Sequence, residues 1–238
     1  MDEYDEIISM GIKCVSAIAL MDLEYKGESC PFDWSLNNSK IILDCFKDNF
    51  NKYCEFENND INHEYNLDKR YPENFCKNNF ENSTVVFNPK HYVNKYGMCF
   101  THYVNKTPIE LKELCIRRCN RMNQLLNGNK SLLFLYFNDE PKTDIDSEYE
   151  NLLNIERYLI YKYPNLKFKI VAILPLEKPN TQNITTYYYN IPKMEINKIY
   201  CGNTPNIKCH PNGNRILLNF LEILFKKQKK KSKKNLFN

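Results

Sequence analysis

The chain has 238 residues, of which 42% are hydrophobic, and a formal net charge of +4. This length and composition fit one domain with a substantial core, and no apolar run approaches the roughly 18 residues that a membrane span needs. Seven of the 33 basic residues lie in the tail Lys226–Lys234, which leaves 26 basic against 29 acidic residues elsewhere. A slightly acidic body argues against a nucleic-acid-binding core.

The ten cysteines are expected to be reduced thiols. The first residues, Met1 to Glu6, are acidic, whereas a secretory signal begins with basic residues. We therefore expect a location in the cytoplasm, or in the nucleus through the basic tail, where disulfide frameworks are rare.

The first part of the chain predicts a strand, a helix, a loop and a second helix. Residues 6–10 form the apolar strand, and residues 14–25 form a helix that Gly27 ends. The loop Pro31–Trp34 follows. Apolar residues at helical spacing then predict a helix over about 38–52.

The middle of the chain begins with a polar, Asn-rich excursion at about 53–81. Two strand-like runs follow, at 84–87 and 98–103, joined by residues 88–96 as a hairpin. Thr107, Pro108 and Glu110 then form a helix start with a capping box, and this helix is expected to reach Leu126.

The remaining elements alternate between buried strands and helices. They are predicted as strands at 132–137 and 168–174, a helix at 146–162, further strands at 187–191 and 196–201, and a last helix at 216–225. The Lys-rich segment 226–238 is expected to be a disordered tail.

This alternation predicts one α/β domain over residues 1–225, with three layers around a mostly parallel or mixed sheet. A papain-like α+β fold is the alternative. Ligand sites in parallel sheets lie beyond the carboxyl ends of the strands. Cys14, His102 and the pair Asn138–Asp139 all end or directly follow predicted strands, so they are candidates for one shared edge.

Cys14 and His102 are the strongest candidates for chemistry. A cysteine at the N-terminus of a helix is placed where negative charge is favoured, which activates a thiol as a nucleophile. His102 could take the thiol proton as a general base. The alternatives are a buried core cysteine and a locally hydrogen-bonded histidine; His91 and His63 are rival bases in polar segments.

A third residue would orient the imidazole ring, and Asp33, Asn138 and Asp139 are the candidates. Asp33 has an equally favoured structural alternative, because a loop aspartate can accept hydrogen bonds from nearby backbone amides. Its neighbours Phe32 and Trp34 could anchor the loop in the core.

The order of these motifs resembles the putative papain-like cysteine peptidase family of bacteria and large DNA viruses. That family has a Gly-x-x-Cys turn, then Pro-Phe-Asp-Trp, and later a histidine at a strand end. Gly11–Cys14, Pro31–Trp34 and His102 match these motifs, over about residues 6–138. The resemblance implies Cys14 as nucleophile and His102 as base. The chain departs from the family at Tyr103, where an acidic residue is common.

No cofactor or metal is expected. The chain has no Gly-rich phosphate loop and no paired His-Glu metalloprotease motif. A zinc site could draw four ligands from five sulfur- or nitrogen-bearing positions, but core packing is the favoured interpretation. Those positions are Cys115, Cys119, Cys201 and the pair Cys209–His210.

Arg117 and Arg121 could grip an anionic group of a substrate, and Trp34 could contact a substrate. A solvated helix face with surface ion pairs is the alternative for the arginines.

Two functions follow from these features. The first is an intracellular cysteine hydrolase, peptidase-like or acyl-transferring, acting on a peptide or another acyl substrate. The second is a non-catalytic binding or scaffold domain of a viral or bacterial protein, in which Lys226–Lys234 contacts an anionic partner. The abundance of Asn and Lys favours a viral origin.

Overall fold

The computed structural model describes residues 4–56, 92–103, 106–138 and 144–188, and the helical residues 218, 220–222 and 224. Its elements are β1 (Glu6–Ser9), α1 (Val15–Asp22), α2 (Ser39–Lys47), β2 (Tyr92–Val93), β3 (Cys99–Phe100), a 3-10 turn (Thr101–Tyr103), α3 (Pro108–Asn127), β4 (Leu132–Phe137), α4 (Ile145–Lys162), β5 (Phe168–Leu174) and β6 (Ile184–Tyr188).

Four of the strands form a parallel sheet in the order β1-β4-β5-β6. Its register places Ser9 opposite Leu135, and Ile170 opposite both Phe134 and Ile184. β2 and β3 form a separate antiparallel pair. The predicted α/β fold with a mostly parallel sheet is therefore confirmed.

Alternate side chains of β4 enter different cores, because successive residues of a strand point to opposite faces. Phe134 and Tyr136 belong to a large core that includes side chains of α2, α3 and α4. Leu133 and Leu135 pack in a second core with α1 and Leu221. The sheet is thus the middle layer of three.

Backbone conformation sets the ends of the first two helices. α1 ends at Asp22, and Glu24 has a φ of 59°. α2 begins at the cap Asn38, whose side chain accepts a hydrogen bond from the Ile41 amide. It stops before Asn49 and Phe50, whose φ angles are 57° and 62°. These left-handed residues make both helices shorter than predicted.

Two predicted strands differ from the observed ones. The run 98–103 is a strand only over Cys99–Phe100 and then becomes a 3-10 turn, so His102 lies on that turn and not at a strand end. Its partner strand is Tyr92–Val93, inside the predicted connection. β6 covers Ile184–Tyr188, earlier than the predicted 187–191.

Several predictions lie outside the described residues. They are the strands at 84–87 and 196–201, most of the excursion, and the tail 226–238. Within the described start of the excursion, Tyr53 is fully buried. None of the described helices is both long and apolar enough to cross a membrane.

Candidate active site at the carboxyl edge of the sheet

The turn that carries Cys14 continues from β1 along its neighbour β4. The Met10 amide donates to the Leu135 carbonyl at 2.8 Å, and the Ile12 amide donates to the Phe137 carbonyl at 3.3 Å. The chain then enters α1 with Cys14 as its N-cap residue. Cys14 is half-buried and forms no disulfide. The cysteine therefore lies at the carboxyl edge of the sheet, as the sequence predicts.

A buried serine pair packs under this turn. The hydroxyls of Ser9 and Ser16 are 2.6 Å apart and fully buried. A Cβ added to Gly11 would lie 2.4 Å from the Ser16 hydroxyl oxygen. Only glycine fits at position 11 without steric overlap, because a side chain there would displace Ser16 from the first turn of α1.

The Pro31–Trp34 loop is anchored in the large core. Phe32 is fully buried, with its ring centroid 5.8 Å from that of Phe46 and 5.9 Å from that of Phe50. The Tyr53 hydroxyl donates to the Pro31 carbonyl. These contacts fix the loop against α2 and the turn that follows α2.

Asp33 makes its described hydrogen bonds within the same loop region. Its carboxylate accepts from the Lys26 ammonium at 2.5 Å and from the Cys30 amide at 2.6 Å. Burial raises the pKa of Asp33, and the charge of Lys26 opposes that rise. Among the described residues, the other carboxylate oxygen has no hydrogen-bond partner.

Residues after the loop connect the Cys14 turn to the segment that carries His102. The Asn37 amide donates to the Ile12 carbonyl at 3.0 Å. Leu36 and Cys99 exchange two backbone hydrogen bonds, at 2.8 and 3.0 Å. Residues 36 and 37 thus link the Cys14 turn and the His102 segment through backbone hydrogen bonds.

His102 packs against the only tryptophan of the chain. The ring centroids of Trp34 and His102 are 5.6 Å apart at an interplanar angle of 76°. His102 keeps an exposed side. Partial burial lowers the pKa of His102 because it disfavours the charged imidazolium. A neutral imidazole can accept a proton near pH 7.

Asn138 is fully buried at the end of β4. Its amide donates to the Ile173 carbonyl at 3.1 Å, and its side chain is hydrogen-bonded to the side chain of Tyr136. Tyr136 also donates to Glu148, which accepts from the Ser39 amide at 3.0 Å. Asn138 thus belongs to a network between β4, α2 and α4. Asp139 lies outside the described residues.

The arginines of α3 have different surroundings. Arg121 donates to the Ser29 carbonyl at 2.6 Å and forms an ion pair with Glu28 at 2.5 Å, so it holds the loop before Pro31. Arg117 is exposed. Substrate binding by Arg117, Arg121 and Trp34 stays a prediction.

Asn37 belongs to no sequence motif, yet its side chain is buried beside the turn. Ser35 and Asn37 are both buried, and the Asn37 side-chain amide donates to the Ser35 hydroxyl at 3.2 Å. Arg118 is also buried, with its guanidinium carbon 5.3 Å from the Tyr103 ring centroid. In the sequence, the apolar residues Trp34 and Leu36 alternate with the polar residues Ser35 and Asn37. This alternation is typical of an extended segment whose successive side chains point to opposite sides.

One cavity lies away from this edge of the sheet. It has a volume of about 550 Å³, is lined by Glu6, Lys26, Arg121 and Lys130, and lies toward the amino ends of β1 and β4. Among the described residues, no group of three or more histidines, cysteines and carboxylates could hold a metal ion. Cys201, Cys209 and His210 lie outside the described residues.

Comparison with known families decides the assignment. The family model described as "Putative papain-like cysteine peptidase" matches residues 5–177. The chain belongs to this family. The matched range contains Cys14, the Pro31–Trp34 loop and His102. The searches of curated proteins and of solved structures each gave no significant match.

Proposed function

We propose that the protein is a cysteine hydrolase in which Cys14 attacks an acyl carbon and His102 transfers the proton. The observation that supports this most directly is the position of Cys14: half-buried, at the first turn of α1 and at the carboxyl edge of a parallel sheet. Ligand sites of parallel sheets lie at that edge. Membership of a cysteine peptidase family supports the same chemistry.

The connection between the two residues supports a pair. Asn37 and Leu36 hydrogen-bond to Ile12 and Cys99, and these lie two and three residues from Cys14 and His102. Trp34, on the same segment, packs on the imidazole ring. One short segment therefore positions both the turn of the thiol and the turn of the base.

The proposed reaction has two steps. His102 accepts the thiol proton, the sulfur of Cys14 adds to the carbonyl carbon, and the leaving amine or alcohol departs with that proton. Water, deprotonated by His102, then adds to the thioester and releases the acid and the free thiol. The first-turn amides of α1 lack intrahelical acceptors, so they can stabilise the oxyanion in both steps.

Three residues are candidates to orient the imidazole ring, and two of them have partners in the structure. Asp33 bonds to Lys26 and Cys30, and Asn138 bonds to Tyr136. Asp139 lies outside the described residues. The proposed chemistry therefore depends on Cys14 and His102, with these three residues as candidates to orient the ring.

The first test is the pH dependence of iodoacetamide alkylation at Cys14, followed by peptide mass spectrometry. We expect a midpoint well below the roughly 8.5 of a free thiol. In His102→Ala the midpoint is expected to rise, because the thiol loses its proton acceptor. Buried Cys45 is the internal control for unfolding.

His91→Ala is the matched control, since His91 is the rival base in the sequence. It is expected to leave Cys14 alkylation unchanged. A Cys14 midpoint at the free-thiol value that does not respond to His102→Ala contradicts the proposal. That outcome favours the alternative of a non-catalytic binding domain in which the turn is a packing feature.

A further inference from the structure

Lys26 and Asp33 form a buried ion pair. The Lys26 ammonium lies 2.5 Å from a carboxylate oxygen of Asp33, and the two side chains are 5% and 0% exposed. In the ion pair Lys40–Asp44, by contrast, the side chains are 66% and 41% exposed. Removing one partner of a buried pair leaves the other charge uncompensated away from water, whereas an exposed charge is solvated. The buried pair therefore holds its two segments together more firmly.

The lysine end of this pair is fixed to α1. The amides of Tyr25 and Lys26 donate to the Leu20 carbonyl at 2.9 and 3.1 Å, and Leu20 is fully buried. The backbone that carries Lys26 is therefore part of the turn that closes α1. Cys14 is the N-cap residue of the same helix, so Lys26 is attached to the element that carries the candidate nucleophile.

The aspartate end is fixed to the loop that carries Trp34. The Asp33 oxygen that bonds to Lys26 also accepts from the Cys30 amide at 2.6 Å, and the Asp33 amide donates to the Cys30 carbonyl at 3.4 Å. These bonds close the turn 30–33 directly before Trp34. The Trp34 ring nitrogen donates to the Ser29 hydroxyl at 3.3 Å, so the indole is tied to the same turn.

Trp34 joins this turn to the candidate base. Its ring centroid lies 5.6 Å from that of His102. Lys26 is thus connected to His102 through two contacts, the ion pair with Asp33 and the ring contact of the residue that follows Asp33. The described hydrogen bonds of the Asp33 carboxylate go to Lys26 and Cys30, so the connection from Asp33 to the imidazole runs through the indole.

We propose that Lys26 is a positioning residue of the Cys14–His102 site, whose ion pair with Asp33 holds Trp34 against His102 and joins that contact to α1. The proposal rests on the proposed cysteine hydrolase function, and it gives Asp33 a role in the loop in place of a bond to the imidazole.

The two roles of Asp33 predict opposite effects on His102. A carboxylate bonded to the imidazole stabilises the charged ring, so its loss would lower the pKa of His102. A carboxylate that holds Trp34 in place keeps water away from the ring, so its loss would raise that pKa. The sign of the change therefore decides between a direct partner of the ring and a positioning pair.

The test is an NMR titration of the His102 ring protons in the full chain, with the signals assigned by their loss in His102→Ala. In Lys26→Met the pKa of His102 is expected to rise toward the roughly 6.5 of a solvated imidazole, because the loop loses its anchor and the indole uncovers the ring. Asp33→Asn keeps the shape of the side chain and is expected to change the pKa in the same direction, so the test does not depend on Lys26→Met being folded. In a Trp34→Ala background, Lys26→Met is expected to cause no further rise, because the pair acts through the indole.

Lys26→Arg is the conservative variant, and the cavity of about 550 Å³ that Lys26 lines gives the larger guanidinium room. It is expected to keep the wild-type pKa of His102. Lys40→Met is the matched control, because it removes the lysine of an exposed pair with an aspartate, and it is expected to leave that pKa unchanged. The proposal is overturned if Asp33→Asn lowers the pKa of His102 or leaves it unchanged. It is also overturned if Lys26→Met shifts this pKa equally with and without Trp34.

The titration of His102 needs no reaction at the thiol, so it separates the role of Lys26 from the proposed function. A Cys14 alkylation midpoint at the free-thiol value, together with the expected changes at His102, contradicts the hydrolase and leaves the positioning of the ring by Lys26 supported. An activated Cys14, together with a His102 pKa that responds to neither Lys26→Met nor Asp33→Asn, overturns the role of Lys26 alone.

Discussion

Trp34 and His102 form the contact on which the protonation of the candidate base depends. The indole lies at 76° to the imidazole, and its ring nitrogen donates to the Ser29 hydroxyl at 3.3 Å. The indole covers part of the imidazole and removes water from it. The lowered pKa of His102 is the expected consequence, since its cause is burial.

Trp34→Ala is therefore expected to raise the pKa of His102 toward the roughly 6.5 of a solvated imidazole. The reason is that the charged form regains its hydration. The measurement is an NMR titration of the His102 ring protons in both proteins. Trp34→Phe keeps a flat ring at this position and is expected to shift the pKa less; an unchanged or lower pKa in Trp34→Ala would contradict the argument.

Tyr103, the residue after the candidate base, packs against a buried cation. The Arg118 guanidinium carbon lies 5.3 Å from the Tyr103 ring centroid, and both side chains are buried. A cation–π contact therefore joins the 3-10 turn of His102 to α3.

At the scale of elements, the start of α1 depends on the fit between Gly11 and Ser16. The Ser9–Ser16 hydrogen bond is buried, so it fixes the first turn of α1 to the end of β1. That turn carries Cys14 and the amides proposed to bind the oxyanion. A substitution at Gly11 or Ser16 is therefore expected to change both the free energy of unfolding and the position of the Cys14 turn.

Gly11→Ala is expected to destabilise the protein by about 1–3 kcal/mol, because the new methyl group overlaps the Ser16 hydroxyl. Ser16→Ala alone leaves the Ser9 hydroxyl without this partner and is expected to cost a similar amount. Urea denaturation of both variants and of the double variant measures the coupling. The double variant is expected to cost less than the sum, since the overlapping oxygen is gone.

Gly27→Ala is the control for the general effect of a methyl group at a glycine. The nearest atom to its added Cβ is a carboxylate oxygen of the Glu6 side chain at 3.1 Å, which can move away. We expect a change within about 0.5 kcal/mol. Additive costs for Gly11→Ala and Ser16→Ala would show that steric overlap is not the cause.

The helix ends illustrate what sequence patterns omit. Apolar spacing predicts α2 to reach residue 52, and Phe50 is indeed buried. The helix nevertheless stops at Lys47, because the chain turns through left-handed conformations at Asn49 and Phe50. The spacing of Phe50 from the apolar residues of α2 therefore does not prove that Phe50 is helical, because a turn can place the same side chain in the core. The capping box at Thr107 and Glu110, by contrast, depends only on neighbouring residues, and it predicts the start of α3 correctly.

At the scale of the molecule, β5 and β6 are parallel neighbours joined without a helix. The connection 175–183 is hydrogen-bonded to α4 through Tyr149 and Glu156. One oxygen of this buried carboxylate accepts from the Thr181 hydroxyl at 2.7 Å and from the Asn183 amide at 2.8 Å. These bonds position the chain just before β6 begins.

Glu156→Ala is expected to weaken β6 locally, because the crossover loses both hydrogen bonds. Hydrogen exchange read by mass spectrometry should show faster exchange in residues 184–188, with β4 unchanged. Glu156→Gln keeps an acceptor oxygen and is expected to retain most of the protection. Equal acceleration in β4 and β6 would indicate global destabilisation and contradict a local role.

The sequence predicts the strands of the sheet best where they are buried on both faces. It predicts the candidate site poorly, because that site is formed by contacts between residues far apart in the chain. β4 and β5 match their predicted bounds, since continuous apolar runs are typical of strands buried on both faces. β2 has two residues and a pattern too short to detect. The Ser35–Asn37 segment, which joins the two candidate turns, is defined by hydrogen bonds to residues 12 and 99 that no local pattern encodes.

The single tryptophan has an optical consequence. With one indole in 238 residues, and that indole against His102, the tryptophan fluorescence of the chain originates beside the candidate base. Emission from this ring is sensitive to the charge of the imidazole and to any molecule that displaces water from it. The protein thus contains its own spectroscopic reporter, and ligands for this edge of the sheet can be sought without attaching a dye.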